Sequence, residues 1–103
     1  MELAFGDVQL NQQEAKLVST ATGQSVKLGA KEYQLMEVFL RNPGQILPKE
    51  MLIERVWGYD SDAEYNNLEV YVSFLRKKLG FIGAKVKLKA TRGLGYSLEE
   101  SRD

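Results

Sequence analysis

Four short segments at the start of the chain partly alternate between apolar and polar residues, which is typical of half-buried β-strands. Turn-forming residues such as Gly6-Asp7 and Thr22-Gly23 separate these segments. The predicted strands are residues 3–5, 8–10, 16–19 and 25–28. Residues 1–28 are therefore expected to form a four-stranded antiparallel sheet with one face on the core.

Three helices are predicted next, because apolar residues recur there at spacings that place them on one helix face. The predicted helices cover about residues 30–41, 48–57 and 65–79. Gly29 is a weak N-cap for the first helix, which Asn42-Pro43-Gly44 brings to an end. Pro48 suits the first turn of the second helix, and Gly80 is expected to close the third.

A strict alternation returns over residues 85–90 and predicts another strand. Its inward residues are expected to be Val86, Leu88 and Ala90, with Lys85, Lys87 and Lys89 pointing outward. A turn over residues 92–95 then leads into a partner strand over residues 96–98. The segment 85–98 therefore predicts a β-hairpin.

The order of these elements predicts an α+β fold within a single domain over residues 1–103. A helix, a short helix, a longer helix and a basic hairpin follow one another in this order. Together they form a helix-turn-helix with a wing. The expected architecture is a winged helix-turn-helix with an N-terminal four-stranded antiparallel sheet, three helices and a C-terminal β-hairpin wing.

The third predicted helix has two faces of different chemistry. At about 100° per residue, one face collects Leu68, Val72, Leu75 and Leu79, as a core-facing stripe does. The opposite face collects Asn66, Val70, Ser73, Phe74 and Lys77, flanked by Asn67, Tyr71 and Lys78. The major groove of DNA suits this mixture, because it presents thymine methyl groups and base edges beside phosphates. The face is therefore predicted to be that of a DNA recognition helix.

Composition excludes several kinds of site. The 103 residues include no cysteine and no histidine, which removes disulfides, zinc fingers and the commonest general base. Glu50 and Glu54 lie four positions apart, but this is the ordinary spacing of solvated helix charges. We therefore expect no enzyme, cofactor or metal site. Apolar runs are short and the start Met1-Glu2-Leu3 is unlike a signal peptide, so a cytoplasmic location without membrane contact is expected.

The net charge is zero, but the charges are unevenly distributed. Residues 1–64 carry six Lys and Arg against ten Asp and Glu, a net charge of −4. Residues 65–98 carry seven Lys and Arg against Glu69 alone, a net charge of +6. Residues 99–103 carry one arginine against three acids, a net charge of −2. This asymmetry indicates either an anion-binding surface or a solvated basic face.

Several blocks in this order resemble the winged-helix effector domain of the OmpR/PhoB family of bacterial two-component response regulators. The blocks are Lys31-Glu32-Tyr33-Gln34-Leu35-Met36, Arg41-Asn42-Pro43-Gly44, Glu50-Met51-Leu52-Ile53-Glu54-Arg55-Val56-Trp57-Gly58, Leu75-Arg76-Lys77-Lys78-Leu79 and Thr91-Arg92-Gly93-Leu94-Gly95-Tyr96. The resemblance covers essentially the whole chain. It implies sequence-specific binding of double-stranded DNA that controls transcription, with helix 65–79 in the major groove.

The resemblance implies DNA contacts by the helices, and each contact has an alternative. Trp57 either lies in the core or presents its indole N–H to a phosphate. Asn66 and Asn67 either cap the recognition helix or enter the groove. Arg76 and Lys77 are either solvated or contact phosphates.

The resemblance also implies contacts by the wing. Arg92 is either a polar turn residue or enters the minor groove, where narrow A·T-rich DNA concentrates negative potential. Tyr96 is expected to pack its ring on the wing while its hydroxyl reaches a phosphate. The complete predicted DNA-binding set is Trp57, Asn66, Asn67, Val70, Tyr71, Ser73, Phe74, Arg76, Lys77, Arg92 and Tyr96.

Three positions depart from the family pattern. Family members often carry arginines at the positions of Ser73 and Phe74, whereas neither residue here can make a bidentate guanine contact. Direct readout is therefore expected to move to the asparagines for adenine, and to Val70 and Phe74 for thymine methyl groups. Ala90 replaces a hydroxyl residue that usually contacts phosphate, so one anchoring bond is expected to be lost.

The resemblance implies three partners besides DNA. A receiver domain precedes this domain in such regulators, so the chain looks like the effector half. A second copy is expected to bind beside the first on direct-repeat sites, where the −4 and +6 parts offer unlike surfaces. Asp60, Asp62 and Glu64 lie in the acidic segment 59–65, which is either a contact for RNA polymerase or a solubilising loop.

A different class of function also fits part of the pattern. A winged helix used as a protein–protein interaction module would employ Val70, Tyr71 and Phe74 as a hydrophobic docking patch. The outward lysines of the predicted wing favour DNA instead. Salt dependence separates the two, because counterion release makes DNA affinity fall steeply with ionic strength.

Overall fold

The computed structural model describes residues 3–58 and 65–101, with the side chains of residues 65 and 66 excepted. The strands are β1 (Leu3–Phe5), β2 (Val8–Asn11), β3 (Lys16–Ser19), β4 (Ser25–Lys27), β5 (Val86–Thr91) and β6 (Gly95–Glu100). The helices are α1 (Ala30–Arg41), α2 (Lys49–Trp57) and α3 (Tyr65–Phe81). The predicted fold class, a winged helix-turn-helix behind a four-stranded sheet, is confirmed.

The first four strands form one antiparallel sheet in the order β1-β2-β3-β4. Leu10 is paired with Leu3 on one side and with Leu17 on the other. All three leucines are buried, so they form a row across the sheet that faces α1 and the core. The residues that alternate with them, Ala4, Gln9 and Val18, lie on the other face of the sheet and are exposed or half-buried.

The start of α1 depends on Glu32 rather than on its N-cap. Gly29 has no side chain with which to cap the helix, but its backbone N–H donates to Glu32 Oε1 at 2.6 Å. This is the reach-back half of a capping box, in which the third helical residue satisfies the N-cap amide. The Glu32 side chain is thereby drawn into the protein and is only 8% exposed.

Helix α3 is longer than predicted, and the expectation that Gly80 closes it was wrong. The helix continues through Gly80 to Phe81. Behind it, the amide of Ala84 donates to the carbonyl of Leu79 and the amide of Gly83 donates to that of Gly80, both at 3.0 Å. This pair of bonds is a Schellman motif, and Gly83 supplies its left-handed residue with φ +70°.

One core joins the helices to the sheet and the hairpin. The buried stripe of α3 is Leu68, Val72, Leu75 and Leu79, and buried Ile82 extends its spacing beyond the helix. It packs with buried residues of the other elements, including Leu35, Met36, Phe39, Leu52, Val86, Leu88 and Leu98. The opposite side of α3 is consequently left for solvent or a partner.

The hairpin of β5 and β6 lies between α3 and the connection of α1 to α2. Val86 and Leu88 point inward as predicted, but Ala90 is exposed, so its predicted inward position was wrong. Alternation places Ala90 on the same side as Leu88, but it lies two residues closer to the turn, and its short side chain stays exposed there although its partner Tyr96 is buried. On the other edge of the hairpin, Leu47 forms a bridge with Tyr96 of β6.

Candidate nucleic-acid interface

The solvent face of α3 combines exposed apolar and polar side chains. Val70 is 46% exposed and Phe74 is 41% exposed, whereas the core stripe behind them is at most 3% exposed. Asn67, Ser73 and Lys77 are also exposed. A shallow open cleft on this face is lined by Glu69, Val70, Ser73 and Phe74. The face therefore has both apolar contact area and hydrogen-bonding groups.

Three aromatic rings connect the end of α2 to this face. The ring centroids of Trp57 and Tyr71 are 5.5 Å apart, and those of Tyr71 and Phe74 are 5.4 Å apart. Both pairs are edge-to-face, an arrangement that the aromatic quadrupole favours. Trp57 and Tyr71 are half-buried against the core. Phe74 is thereby connected to the core through Tyr71, which in turn packs against Trp57.

The wing presents cations beside α3. Arg92 is exposed in the turn between β5 and β6, next to Leu94, which is 60% exposed. Lys85, Lys87 and Lys89 are exposed along the first arm of the hairpin, as predicted. These positive charges lie on the hairpin that follows α3, an arrangement that suits an extended anionic partner.

Arg76 and Tyr96, both predicted to contact DNA, have partners within the protein. Arg76 Nε donates to the carbonyl oxygen of Leu88 on β5 at 3.0 Å. Its guanidinium carbon lies 5.9 Å from the centroid of the Tyr96 ring, and Lys49 Nζ lies 5.8 Å from the same centroid. Tyr96 is only 6% exposed. The Tyr96 ring is thus buried beside two cations, one from α2 and one from α3.

Lys78 belongs to the scaffold, although it flanks the solvent face in sequence. Its Nζ lies 2.6 Å from Glu32 Oε1 and donates to the carbonyl oxygen of Lys27 at 2.8 Å. Since this cation is matched by a buried carboxylate, the basic surface is smaller than the sequence charge of residues 65–98 indicates.

Lys49 is a site residue that sequence reasoning missed. It begins α2, lies beside Tyr96, and its Nζ is 3.8 Å from Glu69 Oε1 on α3. The only sequence signal was a lysine in the first turn of a helix, where a cation is unfavourable for the helix dipole. Its side chain instead connects α2 with Glu69 of α3 and with Tyr96 of the wing.

Four predicted site residues fall wholly or partly outside the described part of the chain. Asp60, Asp62 and Glu64, the candidate polymerase contact, lie outside the described residues, and so does the side chain of Asn66.

Two other features are absent from the described residues. Within residues 3–58 and 65–101, no helix combines the length and apolarity that a membrane span requires. The same ranges hold no group of three acidic side chains arranged to bind a metal ion.

Comparison with known proteins gives consistent matches. Residues 23–98 match the family described as "Transcriptional regulatory protein, C terminal". The transcriptional regulatory protein DltR of Streptococcus agalactiae is 52% identical over 99 residues, which are 96% of this chain and 43% of that protein. The heme response regulator HssR of Staphylococcus saprophyticus is 34% identical over 96% of this chain and 43% of its own length. The chain therefore spans less than half the length of these relatives.

Solved structures agree with the sequence matches. The C-terminal domain of the nisin resistance regulator NsrR superimposes with a TM-score of 0.77 at 35% identity, covering 95% of this chain and 96% of that one. The DNA-binding domain of the response regulator AdeR, solved in complex with an intercistronic region, gives a TM-score of 0.80 at 23% identity over 94% and 98% of the two chains. At that identity the second likeness concerns the fold alone. The chain belongs to the transcriptional regulatory protein C-terminal family, the OmpR/PhoB-type winged-helix DNA-binding domains of response regulators.

Proposed function

We propose that this chain recognises specific double-stranded DNA sites, with α3 in the major groove and Arg92 of the wing in the adjacent minor groove. Membership of a DNA-binding family of transcriptional regulators supports the general activity. In the proposal, Asn67, Ser73 and the described apolar residues of α3 contact base edges, while Lys77 and the wing lysines neutralise phosphates.

The observation that carries the proposal is the solvent face of α3. Val70 and Phe74 are each more than 40% exposed on a helix whose other side is fully buried. An α-helix with its side chains is about 10–12 Å wide, and the major groove is about 12 Å wide. In that groove the apolar side chains would meet thymine methyl groups, and Lys77 would meet the flanking phosphates.

The test is the salt dependence of binding to a selected DNA site. Duplexes that bind this chain are enriched from a random library, and the affinity for the best duplex is measured by fluorescence anisotropy at several salt concentrations. We expect the affinity to fall steeply with salt, because each neutralised phosphate contributes about −0.9 to the logarithmic slope. Lys77→Ala should reduce that slope by about one and weaken binding to all sequences similarly.

Lys16→Ala is the matched control, because Lys16 lies on β3 of the N-terminal sheet rather than on α3 or the wing. It removes the same charge and should leave both affinity and slope unchanged. If no sequence is enriched, or if Lys16→Ala and Lys77→Ala behave alike, specific recognition through α3 is ruled out.

The rival function is docking of a protein on the patch of Val70, Tyr71 and Phe74. The exposed apolar area and the supported Phe74 ring favour this possibility. Binding through such a patch would respond weakly to salt but strongly to Phe74→Ala, because its main contribution would be buried apolar area. The same salt titration therefore separates the two functions.

The proposal extends to the parts of the regulator beyond this domain. A receiver domain would control the effector, and the acids Asp60, Asp62 and Glu64 would contact a basic surface of RNA polymerase. Replacing the three acids with Ser or Gln in a full-length regulator should lower promoter activation while DNA affinity holds or rises. Unchanged transcription would exclude the acidic contact.

Two copies are proposed to bind direct-repeat half-sites in tandem. Each copy would meet the same groove face about one helical turn (~10 bp) further along the duplex. The free chain should sediment as a monomer with a mass close to 11.7 kDa. A two-site duplex should bind more tightly than two independent sites would. Independent filling of the two sites, or a stable dimer without DNA, would contradict this arrangement.

A further inference from the structure

We infer that Arg76 is a positioning residue that fixes the wing against the recognition helix, so that major-groove and minor-groove contacts are made by one rigid body. The inference rests on the proposed function and assigns Arg76 a role different from the phosphate contact expected from the sequence. The wing clamp is defined here as the Arg76 side chain, the Leu88 carbonyl and the Tyr96 ring.

The position of Arg76 on α3 directs it sideways. At about 100° per residue, Arg76 lies about 100° around the helix from Lys77 and about 120° from Val70. It is correspondingly close to the edge of the core stripe, on the side where β5 packs against α3. An arginine at this position reaches the hairpin more readily than a groove that faces Val70.

The hydrogen bond of the clamp anchors the edge of the hairpin. β5 and β6 form a sheet of two strands, and β6 is also bridged to Leu47 on its other side. Arg76 Nε donates to the Leu88 carbonyl on the remaining edge, at 3.0 Å. A bond from a charged donor is stronger than a neutral one, and an isolated two-stranded hairpin has little stability of its own. The wing is thus held from both edges.

The guanidinium also reaches the second strand of the wing. Its central carbon lies 5.9 Å from the Tyr96 ring centroid, within the range of a cation–π contact. Tyr96 is paired with Ala90, two residues beyond Leu88 on β5. One side chain of α3 therefore contacts both strands of the hairpin just below the turn that carries Arg92.

The clamp has a consequence for binding. A contact by Arg92 adds to the affinity of α3 only if the wing already points at the minor groove, because ordering the wing on binding would cost conformational entropy. Removing the clamp should therefore weaken the contribution of Arg92, although Arg92 itself is unchanged.

The first test uses the free chain. Hydrogen exchange of the β5 and β6 amides is compared with that of α1 in the wild type, Arg76→Ala and Lys77→Ala. We expect exchange in the wing to accelerate by about fivefold or more in Arg76→Ala, with α1 unchanged, because local opening becomes easier. Lys77→Ala loses the same charge one residue away and should leave the wing protected.

The second test is a double-mutant cycle on the selected DNA site. Arg92→Ala reduces affinity by some factor in the wild type and by another factor in the Arg76→Ala background. If Arg76 acts through the wing, the second factor should be smaller than the first by at least about threefold. The pair of Lys77→Ala and Arg92→Ala should be additive. Arg76→Lys keeps the positive charge but replaces the planar guanidinium with an ammonium group. Compared with Arg76→Ala, it should therefore restore neither the protection of the wing amides from exchange nor the full contribution of Arg92 to affinity.

Three outcomes would overturn the inference. They are unchanged exchange in the wing, additivity of Arg76→Ala with Arg92→Ala, and full rescue by Arg76→Lys, which would identify a simple charge on a phosphate. If Arg76→Ala unfolds the chain, Arg76→Lys takes its place in both tests. A wild-type chain that binds no DNA would refute the proposed function, and the exchange comparison alone would then decide whether the clamp holds the wing.

Discussion

Leu47 and Tyr96 exchange two backbone hydrogen bonds, with N···O distances of 2.7 Å from Leu47 to Tyr96 and 3.1 Å in the reverse direction. The connection between α1 and α2 thereby runs against β6. Gly95 lies at the point of closest approach, with φ +150°. A Cβ atom there would overlap the Leu47 carbonyl oxygen and lie 2.7 Å from the carbonyl carbon.

We predict that Gly95→Ala lowers the free energy of unfolding by about 2–4 kcal/mol, because it adds strain and breaks the bonds to Leu47. Gly93→Ala is the matched control: Gly93 has φ +79° in the same turn, but a Cβ there meets no atom within 4 Å. Gly93→Ala should lower the free energy of unfolding by only about 1–2 kcal/mol, the cost of placing a residue with a Cβ in the left-handed conformation. Urea unfolding measures both, and equal losses would show that the contact with Leu47 is unimportant.

A second prediction concerns the buried carboxylate of Glu32. Lys78→Met removes its cationic partner, keeps an apolar side chain of similar length, and leaves the carboxylate with the Gly29 amide. Because the Glu32 side chain is 8% exposed and that of Lys78 is 28% exposed, we expect a loss of about 1–3 kcal/mol in unfolding free energy. Adding Glu32→Gln should recover part of the loss, since it removes the unpaired charge.

The control is Arg41→Met, which breaks the ion pair of Arg41 with Glu37. That pair also has a short N···O distance, 3.1 Å, but its side chains are 54% and 31% exposed. Exposed pairs contribute little, so the expected loss is at most about 0.5 kcal/mol. If Lys78→Met and Arg41→Met lower the unfolding free energy equally, the charge of the Glu32 carboxylate is stabilised by solvent rather than by Lys78.

Local patterns were sufficient to predict most of the elements. The row of Leu3, Leu10 and Leu17 follows from alternation, and the buried face of α3 follows from helical spacing. The end of α3 was misjudged because two glycines, Gly80 and Gly83, follow each other closely. Continuing the stripe to buried Ile82 would have favoured the later glycine.

The site was predictable only in part, because the partners of its charged residues lie on distant elements. Exposure of Val70 and Phe74 follows from their positions on the helix. Arg76 and Lys78 differ little in sequence, yet Arg76 donates to β5 and Lys78 reaches Glu32 of α1. Which neighbour each one meets depends on how α3 packs, and no local pattern encodes that geometry.

Phe74 provides a test of thymine recognition at the level of one methyl group. We predict that Phe74→Ala weakens binding to the selected site by roughly 1–3 kcal/mol, the size of one base contact. Replacing each thymine in turn with deoxyuridine should weaken wild-type binding at the contacted position by about 0.8 kcal/mol, the value of one buried methyl group. In Phe74→Ala that sensitivity should disappear.

Lys77→Ala serves as the control for the methyl experiment, because it weakens binding through phosphate and should keep the full response to deoxyuridine. Thermal stability should change little in Phe74→Ala, since its ring is 41% exposed and contacts Tyr71 only by an edge-to-face pair. Undiminished sensitivity to deoxyuridine in Phe74→Ala would assign the methyl contact to another residue, with Val70 the next candidate.

Arg92 allows the groove reached by the wing to be identified. If it enters the minor groove, Arg92→Ala should cost about 1–2 kcal/mol on sites with A·T-rich flanks and much less on G·C-rich flanks, where the groove is wider and carries the guanine amino group. Inosine·cytosine flanks keep most of the major-groove pattern of G·C but lack that amino group. They should therefore restore the loss of affinity seen on A·T-rich DNA.

Lys89→Ala is the control, because Lys89 lies on the exposed side of β5. It should reduce affinity equally on all three duplexes, as the loss of a phosphate contact does. An Arg92→Ala loss that is equal on all three flanks would make Arg92 a phosphate contact as well, and the wing would then contribute affinity without specificity.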